Sequence, residues 1–333
     1  MSVEIEQAVS ILRRGGVVAF PTETVYGLGA DATNAPAVRK VFAVKGRPAT
    51  NPVIVHVADV NVAQRFAASW PGSAQKLTAK FWPGPLTIVL PKVDVIATAV
   101  TAGKKTVALR CPDHPLTLEL LRAFDGPLIG PSANRSSRVS PTTAQHVADE
   151  LGAKIDMVLD GGPCKVGIES TVVDLSVSPP MVLRPGTISR YQVEAVVGPV
   201  GVFEGSVASG VAASGLGMQA VHYAPITPTY RFDRKRADRV AAWCGKHPDK
   251  AAIVLRLGSI PPDDPVMPSL SMNQRQMVLP AQPPEYARQM YAALRHADRQ
   301  SPAAIWLEMP GDEPQWVAVR DRLMRASRNP PEG

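Results

Sequence analysis

The sequence predicts a mixed α/β chain in two domains, and three observations carry that reading. Short apolar runs of strand length recur between helical patterns, a tract of small residues interrupts them after residue 197, and strands and helices alternate beyond the tract. With 333 residues, 45% of them hydrophobic and 20% charged, the chain has enough apolar side chain for two cores.

Ile5, Ala8, Val9 and Leu12 recur at helical spacing, so a helix precedes a buried strand over 17–20, which Pro21 ends. Further strands are expected over 53–57, 86–90, 106–110, 127–130, 157–160, 170–175 and 181–184. Helices are expected over 36–44, 74–80, 115–124 and 142–151, the last entered through Ser140 as cap and Pro141 in the first turn. Residues 198–217 are mostly small, with few large apolar side chains to bury, and read as a linker. Beyond it come a strand over 229–232, a basic helix to about Gly245, a strand over 251–257, a helix over 285–297, a strand over 303–308 and a helix over 315–327. That alternation predicts a small second domain with a parallel sheet.

Composition narrows the function classes. The longest apolar runs, such as 17–20 and 86–90, are too short to cross a bilayer, and no targeting segment is evident. Cys111, Cys164 and Cys244 are scattered without C-x-x-C spacing, which supports neither a disulfide framework nor a cysteine zinc site; a reducing cytoplasm is expected. The net charge of +7 favours anionic partners. The densest basic cluster, 231–239, is interrupted by Asp233 and Asp238 and reads as a solvated helix face. There is no Walker-type phosphate loop, and Gly27-Leu28-Gly29 starts a dinucleotide fingerprint that fails at Ala32.

Three segments suit a phosphorylated nucleotide: Pro21-Thr22-Glu23-Thr24-Val25-Tyr26-Gly27-Leu28-Gly29, Lys45-Gly46-Arg47-Pro48 and Pro131-Ser132-Ala133-Asn134. Glycine backbone N–H groups can approach anionic oxygens, hydroxyls and amides fix orientation, and two cations balance charge that develops in phosphoryl or nucleotidyl transfer. Each has a plainer reading alone. Lys45 and Arg47 also suit an exposed helix end, and Pro131 to Asn134 a simple turn. Arg184-Pro185-Gly186 and Glu169-Ser170-Thr171 are equally double-sided, and Phe81-Trp82-Pro83-Gly84-Pro85 reads as an aromatic-anchored turn without chemistry. His56 points away from its neighbours Val55 and Val57, into solvent or a pocket.

In their joint order these segments closely resemble the threonylcarbamoyl-AMP synthase family, the YrdC-type domain, in its two-domain form. The matching residues are 21–34, 45–57, 81–90, 126–142, 169–174 and 184–186, spanning nearly all of 1–190, with His222-Tyr223-Ala224-Pro225 and 319–325 beyond the linker. The resemblance implies a twisted mixed-sheet YrdC-like catalytic domain over 1–197, a linker over 198–225 carrying the His-Tyr-Ala-Pro motif, and a small Rossmann-like α/β domain over 226–333. It implies that ATP, L-threonine and bicarbonate give threonylcarbamoyl-AMP and pyrophosphate with Mg2+, the product passing to a separate transferase that modifies tRNA next to the anticodon. By similarity, Lys45 and Arg47 are the catalytic cations and meet ATP together with Ser132, Asn134 and Arg184. Thr24, Tyr26, His56, Arg110 and Ser170 would hold threonine and orient the adenylate, and His222 and Tyr223 would act as a lid. No residue is assigned to a metal. One departure stands out: Gln219-Ala220-Val221 stands where many family members carry a basic residue. The alternative reading is a structured-RNA or ribosome-binding protein without turnover, motivated by the positive charge, which also suits weak tRNA binding, although aromatic stacking motifs are missing. A third is a carbamoyl transferase using preformed carbamoyl phosphate.

Overall fold

Most of the apolar runs build one ten-stranded sheet, in which Val17 and Ala19 face one core while Val18 and Phe20 face another. The computed structural model describes residues 2–203, 222–260 and 263–330. The strands are β1 (Val18–Phe20), β2 (Gly27–Asp31), β3 (Ile54–His56), β4 (Leu86–Pro91), β5 (Thr106–Arg110), β6 (Leu128–Ile129), β7 (Met157–Val158), β8 (Thr171–Asp174), β9 (Met181–Arg184) and β10 (Gly201–Val202). Their spatial order is β10-β9-β8-β4-β5-β3-β6-β2-β1-β7. Pairings are mixed: β3 runs parallel to β5 and β4 to β8, whereas β1 and β2, β4 and β5, and β8 and β9 are antiparallel. Helices α1 (Val3–Arg13), α2 (Ala35–Lys45), α3 (Val60–Gln64), α4 (Gly72–Phe81), α5 (Thr98–Thr101), α6 (Pro115–Phe124), α7 (Ala144–Glu150) and α8 (Arg190–Val197) complete this unit. Apolar side chains line both faces, which explains why the strands read as continuous apolar runs.

The second sheet is wholly parallel, as the alternation predicts: β11 (Thr229–Phe232), β12 (Ala252–Leu257), β13 (Gln274–Leu279) and β14 (Ala304–Glu308), in the order β11-β14-β12-β13. Helices α9 (Ala237–Lys246), α10 (Pro283–Arg299) and α11 (Val317–Ala326) accompany it. Trp306 is buried at its centre, against Phe232, Val240 and Val254. Beside it Arg256 is fully buried, pairing with Asp264 and with Glu308 at 2.8 Å. The chain divides into two compact units, Met1–Ser136 with Ser140–Ala220, and Ser137–Val139 with Val221–Gly333. No helix among the described residues is long and apolar enough to cross a membrane.

Four local readings change. Gly27 to Asp31, not among the expected strands, is a strand after β1, because bare glycines let the Phe20 ring lie across it: a Cβ on Gly27 or Gly29 would come within 2.8 or 2.9 Å of that ring. Helix α7 starts at Ala144 under the cap of Thr143, whose hydroxyl accepts from the His146 N–H, while the Ser140 hydroxyl is drawn away to Glu169 at 2.6 Å. Residues Gly201–Val202, inside the expected linker, pair with β9 as β10. Residues 204–221, which include most of that linker and Gln219, lie outside the described residues. Strand β13 was not foreseen, because its polar residues Gln274, Arg275 and Gln276 give no apolar run; it is an edge strand with one neighbour.

Gly29→Ala is expected to lower stability by about 1–3 kcal/mol through overpacking against Phe20, read from the urea midpoint, with part of the loss recovered when Phe20→Leu is combined with it. A second expectation concerns acid. Hydrogen bonds from Arg256 hold the Asp264 carboxyl below its ordinary value. A carboxyl depressed by folding stabilises above its unfolded value of about 3.9, and the contribution is lost as pH falls through the folded value. The thermal midpoint should therefore drop below about pH 4, and Asp264→Asn should start lower at neutral pH and lose less on acidification.

Candidate active site

Helix α2 delivers the first cation. Asn34 caps it by accepting from the Ala37 N–H at 3.1 Å, and Gly46 ends it in the left-handed conformation with φ 61°, which turns the chain sharply between Lys45 and Arg47. Lys45 is buried rather than on a solvated surface, and its Nζ donates to the carbonyls of Ser132 and Asn134, each at 2.5 Å. The Ser136 N–H returns a bond to the Lys45 carbonyl at 2.7 Å. Burial, with the Arg47 charge, holds the Lys45 amine well below its ordinary pKa, and Glu150 opposes them. Half-buried Arg47 donates to the carbonyls of Asn51 and Pro52 at 3.1 and 2.7 Å, bracing the turn that follows.

The loop held by Lys45 also binds the first segment. Ser132 bridges Gly27, the Leu28 N–H donates to Pro131, and the Ala133 N–H donates to Tyr26. The three segments singled out in the sequence thus form one contiguous structure, with the Asn134 side chain buried and donating to the Arg135 carbonyl at 2.8 Å.

A second cluster forms where β3 and β5 run side by side, with His56 in register with Arg110. Arg110 lies 2.7 Å from Glu23 Oε1, donates to Thr24 Oγ1 at 2.9 Å and to the Gly84 carbonyl at 3.3 Å. Thr24 is fully buried, 2.8 Å from the Thr22 hydroxyl, which itself donates to the Val25 carbonyl at 2.6 Å. Sequence reasoning quoted Glu23 without giving it a role and dismissed the Gly84 turn; both support Arg110. Buried His56 meets the edge of the Phe20 ring at 5.4 Å, and burial together with Arg110 holds its pKa well below the ordinary value. The Tyr26 hydroxyl donates to the Gly162 carbonyl at 2.8 Å and accepts from the Gly161 N–H, so it ties down the 160–162 turn.

The third cluster lies where β8 begins and β9 ends. Arg184 donates to the Ser170 carbonyl through Nε at 3.1 Å and Nη2 at 2.9 Å, and to its hydroxyl at 3.1 Å. Ser170 is in turn 2.8 Å from the Thr87 hydroxyl. A Cβ on Gly186 would come within 2.3 Å of the Thr171 nitrogen, so glycine is required for this close approach. Register carries Arg110, Ser170 and Arg184 to the same end of the central strands: β5 ends where antiparallel β4 begins, beside the start of β8 and the end of β9. Thiol nucleophiles have no place here, since burial pushes Cys111 and Cys164 up to about 12.

His222 and Tyr223 belong to the second unit. Tyr223 is buried with φ 61°, its ring 4.0 Å from that of His222 and 5.8 Å from that of Tyr291, with the Arg322 guanidinium over it at 5.4 Å. The Ala224 N–H donates to the Ser137 carbonyl in the same unit.

Comparison with known proteins gives this arrangement its relatives. A family model described as telomere recombination, the Sua5/YciO/YrdC group, matches residues 10–186, and one described as the C-terminal domain of threonylcarbamoyl-AMP synthase matches 188–328. The threonylcarbamoyl-AMP synthase of Bacillus subtilis (strain 168) is 48% identical over 226 residues, which cover 68% of this chain and 65% of that protein. The Pyrococcus abyssi protein of that name is 38% identical over 332 residues, covering 97% of this chain and 94% of its own length. The crystal structure of P. abyssi Sua5 complexed with L-threonine superposes with a TM-score of 0.86 at 38% identity, over 97% of this chain and 94% of that one. With both units matched and a relative of this identity along nearly its whole length, the chain belongs to the threonylcarbamoyl-AMP synthase family in its two-domain form.

Proposed function

We propose that the protein is an L-threonylcarbamoyladenylate synthase, joining L-threonine, bicarbonate and ATP into threonylcarbamoyl-AMP and pyrophosphate. The observation that carries the reading is the buried Lys45 ammonium: two of its three donors fix the Ser132 to Asn134 loop, which leaves a cation beside a frame of hydroxyl, amide and backbone groups suited to a nucleotide. The names of the full-length relatives and the threonine complex of the P. abyssi protein support it.

In this reading an unprotonated threonine amine attacks bicarbonate, and an oxygen of the resulting carbamate attacks the α-phosphorus as pyrophosphate leaves. An α-amino group titrates at about pH 7.7–8.0 in peptides and somewhat higher in a free amino acid, so a minor but usable fraction is unprotonated at neutral pH. Rate is gained by holding three reactants together and by stabilising the charge on the leaving pyrophosphate, the work assigned to Lys45, Arg47 and Arg184. A cation about 4 Å from a phosphate charge gains roughly 4 kcal/mol at an effective dielectric of about 20, before desolvation. Ser132 and Asn134 take the nucleotide phosphates and ribose. Thr24 and Ser170 serve threonine through the guanidinium groups of Arg110 and Arg184 to which they are bonded, with Tyr26 shaping the wall. Magnesium fits as part of the ATP substrate: among the described residues no three His, Cys, Asp or Glu side chains gather to hold a metal, and Mg2+ commonly binds through phosphates and waters. The proposal includes the guarding role for His222 and Tyr223, and delivery of the product to a transferase that modifies tRNA beside the anticodon.

Pyrophosphate release should require threonine and bicarbonate together, because the nucleophile is assembled before the phosphorus is attacked. Incubation of the full chain with ATP, labelled bicarbonate and each amino acid, followed by mass detection of the acyl adenylate, tests this; ATP cleavage that is equal with either one omitted would refute the reading. Lys45→Ala and Arg47→Ala should each lower turnover about tenfold or more, a loss of at least ~1.4 kcal/mol of transition-state stabilisation, in proteins whose circular dichroism matches the parent.

A further inference from the structure

We infer that His56 carries the proton that must leave the amine nitrogen as the carbamate forms, an assignment that rests on the synthase reading above. His56 is buried, and its Nδ1 has no hydrogen-bond partner among the described residues. A buried polar atom without a partner is uncommon in a folded protein and points to a ligand group that supplies one.

The ring is held in place. Phe20 meets it edge-on, at an interplanar angle of 76°. A Cβ on Gly130 would lie 2.4 Å from His56 Nδ1 and 2.9 Å from the Phe20 ring, and Gly27 and Gly29 approach that same ring as closely. Three bare glycines therefore seat Phe20, and Phe20 seats the imidazole; Phe20 is a positioning residue.

The other titratable groups of the candidate site are committed elsewhere. Glu23 is paired with Arg110 and accepts from the Asp113 N–H, the Tyr26 hydroxyl donates to Gly162, and Lys45 holds two carbonyls. Phe20 from β1 and Gly130 beyond β6 bring no charge to His56, and the charged group facing it is Arg110 from β5. Burial and that guanidinium keep the imidazole neutral, so a ring lone pair is available at neutral pH.

The chemistry balances without a further reactant. The amine nitrogen bonds to the bicarbonate carbon, the C–OH bond breaks, and the nitrogen is left with a surplus proton. The imidazole takes that proton and returns it to the departing hydroxyl, which leaves as water. The carbamate retains the single negative charge of bicarbonate, and His56 ends neutral.

The test compares two reactions of the full chain. Forward synthesis from ATP, threonine and bicarbonate requires carbamate formation; the reverse reaction, in which synthetic threonylcarbamoyl-AMP and pyrophosphate give ATP, requires only the nucleotidyl step. His56→Asn and His56→Gln should slow the forward reaction by about a hundredfold and the reverse reaction by a factor about tenfold smaller or less, the share that belongs to binding the threonyl group. Phe20→Leu should lower forward kcat by a smaller factor with the threonine KM and the reverse rate unchanged. Equal losses in both directions, or none in either, overturn the assignment. If the His56 variants do not fold, nitrogen NMR of the parent decides: the His56 Nδ1 resonance should move when threonine and bicarbonate are added, and a stationary resonance overturns it. A parent that makes no threonylcarbamoyl-AMP refutes the synthase reading itself, whereas an active parent with unaffected variants refutes only the role of His56.

Discussion

The contact on which the candidate site depends is the bond pair from the Lys45 ammonium to the carbonyls of Ser132 and Asn134. It joins the end of α2 to the loop after β6, and through Ser132 and Gly27 to the hairpin of β1 and β2. Sheltering an ammonium in this way is costly unless its donors are used, and two backbone carbonyls use two of them. The same burial that lowers the pKa of Lys45 makes its charge more effective toward an anion, since less water screens it. A triphosphate that meets the remaining donor would favour the charged form and so tighten its own site. Gly46 makes the geometry workable by turning the chain so that Arg47 is free to brace the next turn rather than extend the helix.

Compensation of buried cations recurs on the neighbouring strands. Arg110 and Glu23 are both nearly inaccessible, so neither charge is tolerable without the other; removal of Glu23 would leave a buried guanidinium unpaired at the end of a central strand. Arg184 has its planar donors on the Ser170 carbonyl and hydroxyl, which fixes the direction of the guanidinium before any ligand arrives. Side chains held this way lose little entropy on binding, and preorganised donors of this kind are what nucleotidyl transfer asks of a protein.

Some of this was legible in the sequence and some was not, and the division follows locality. Strands β5 and β9 match the expected 106–110 and 181–184 residue for residue, because their apolar pattern is local. Strand β2 is not among the expected strands because Gly27 and Gly29 read as glycines for close approach to an anion; their structural reason is the Phe20 ring, a tertiary neighbour. At the site, the Lys45 and Ser132 segments were recognisable by residue type, but their junction spans 87 positions of sequence and no periodicity encodes it. Glu23 stood inside a quoted motif without a role because its partner, Arg110, is brought to it only by the fold. The same holds for Thr24 and Ser170, whose hydroxyls suggested direct contact with a ligand and are found bonded to arginines.

Where the positive charges are spent bears on the choice between an enzyme and an RNA binder. A protein that holds RNA by its phosphates needs cations at the surface, where they can displace condensed counterions. Here Lys45, Arg110, Arg184, Arg256 and Arg322 are all buried, and each is engaged by carbonyls, hydroxyls, carboxylates or an aromatic ring. Several of the outer cations are matched as well, Arg65 with Asp125, Arg190 with Glu194, Arg236 with Asp238 and Arg320 with Asp312. Buried carboxylates, Glu23, Glu169, Asp264 and Glu308, offset most of these buried cations, so the formal excess of +7 stays largely on the outside; what favours a small anionic substrate is that Lys45, Arg110 and Arg184 are buried and fixed by their partners at the candidate site. Net charge read from composition could not separate these two uses, since it counts a guanidinium locked against Ser170 the same as one in solvent.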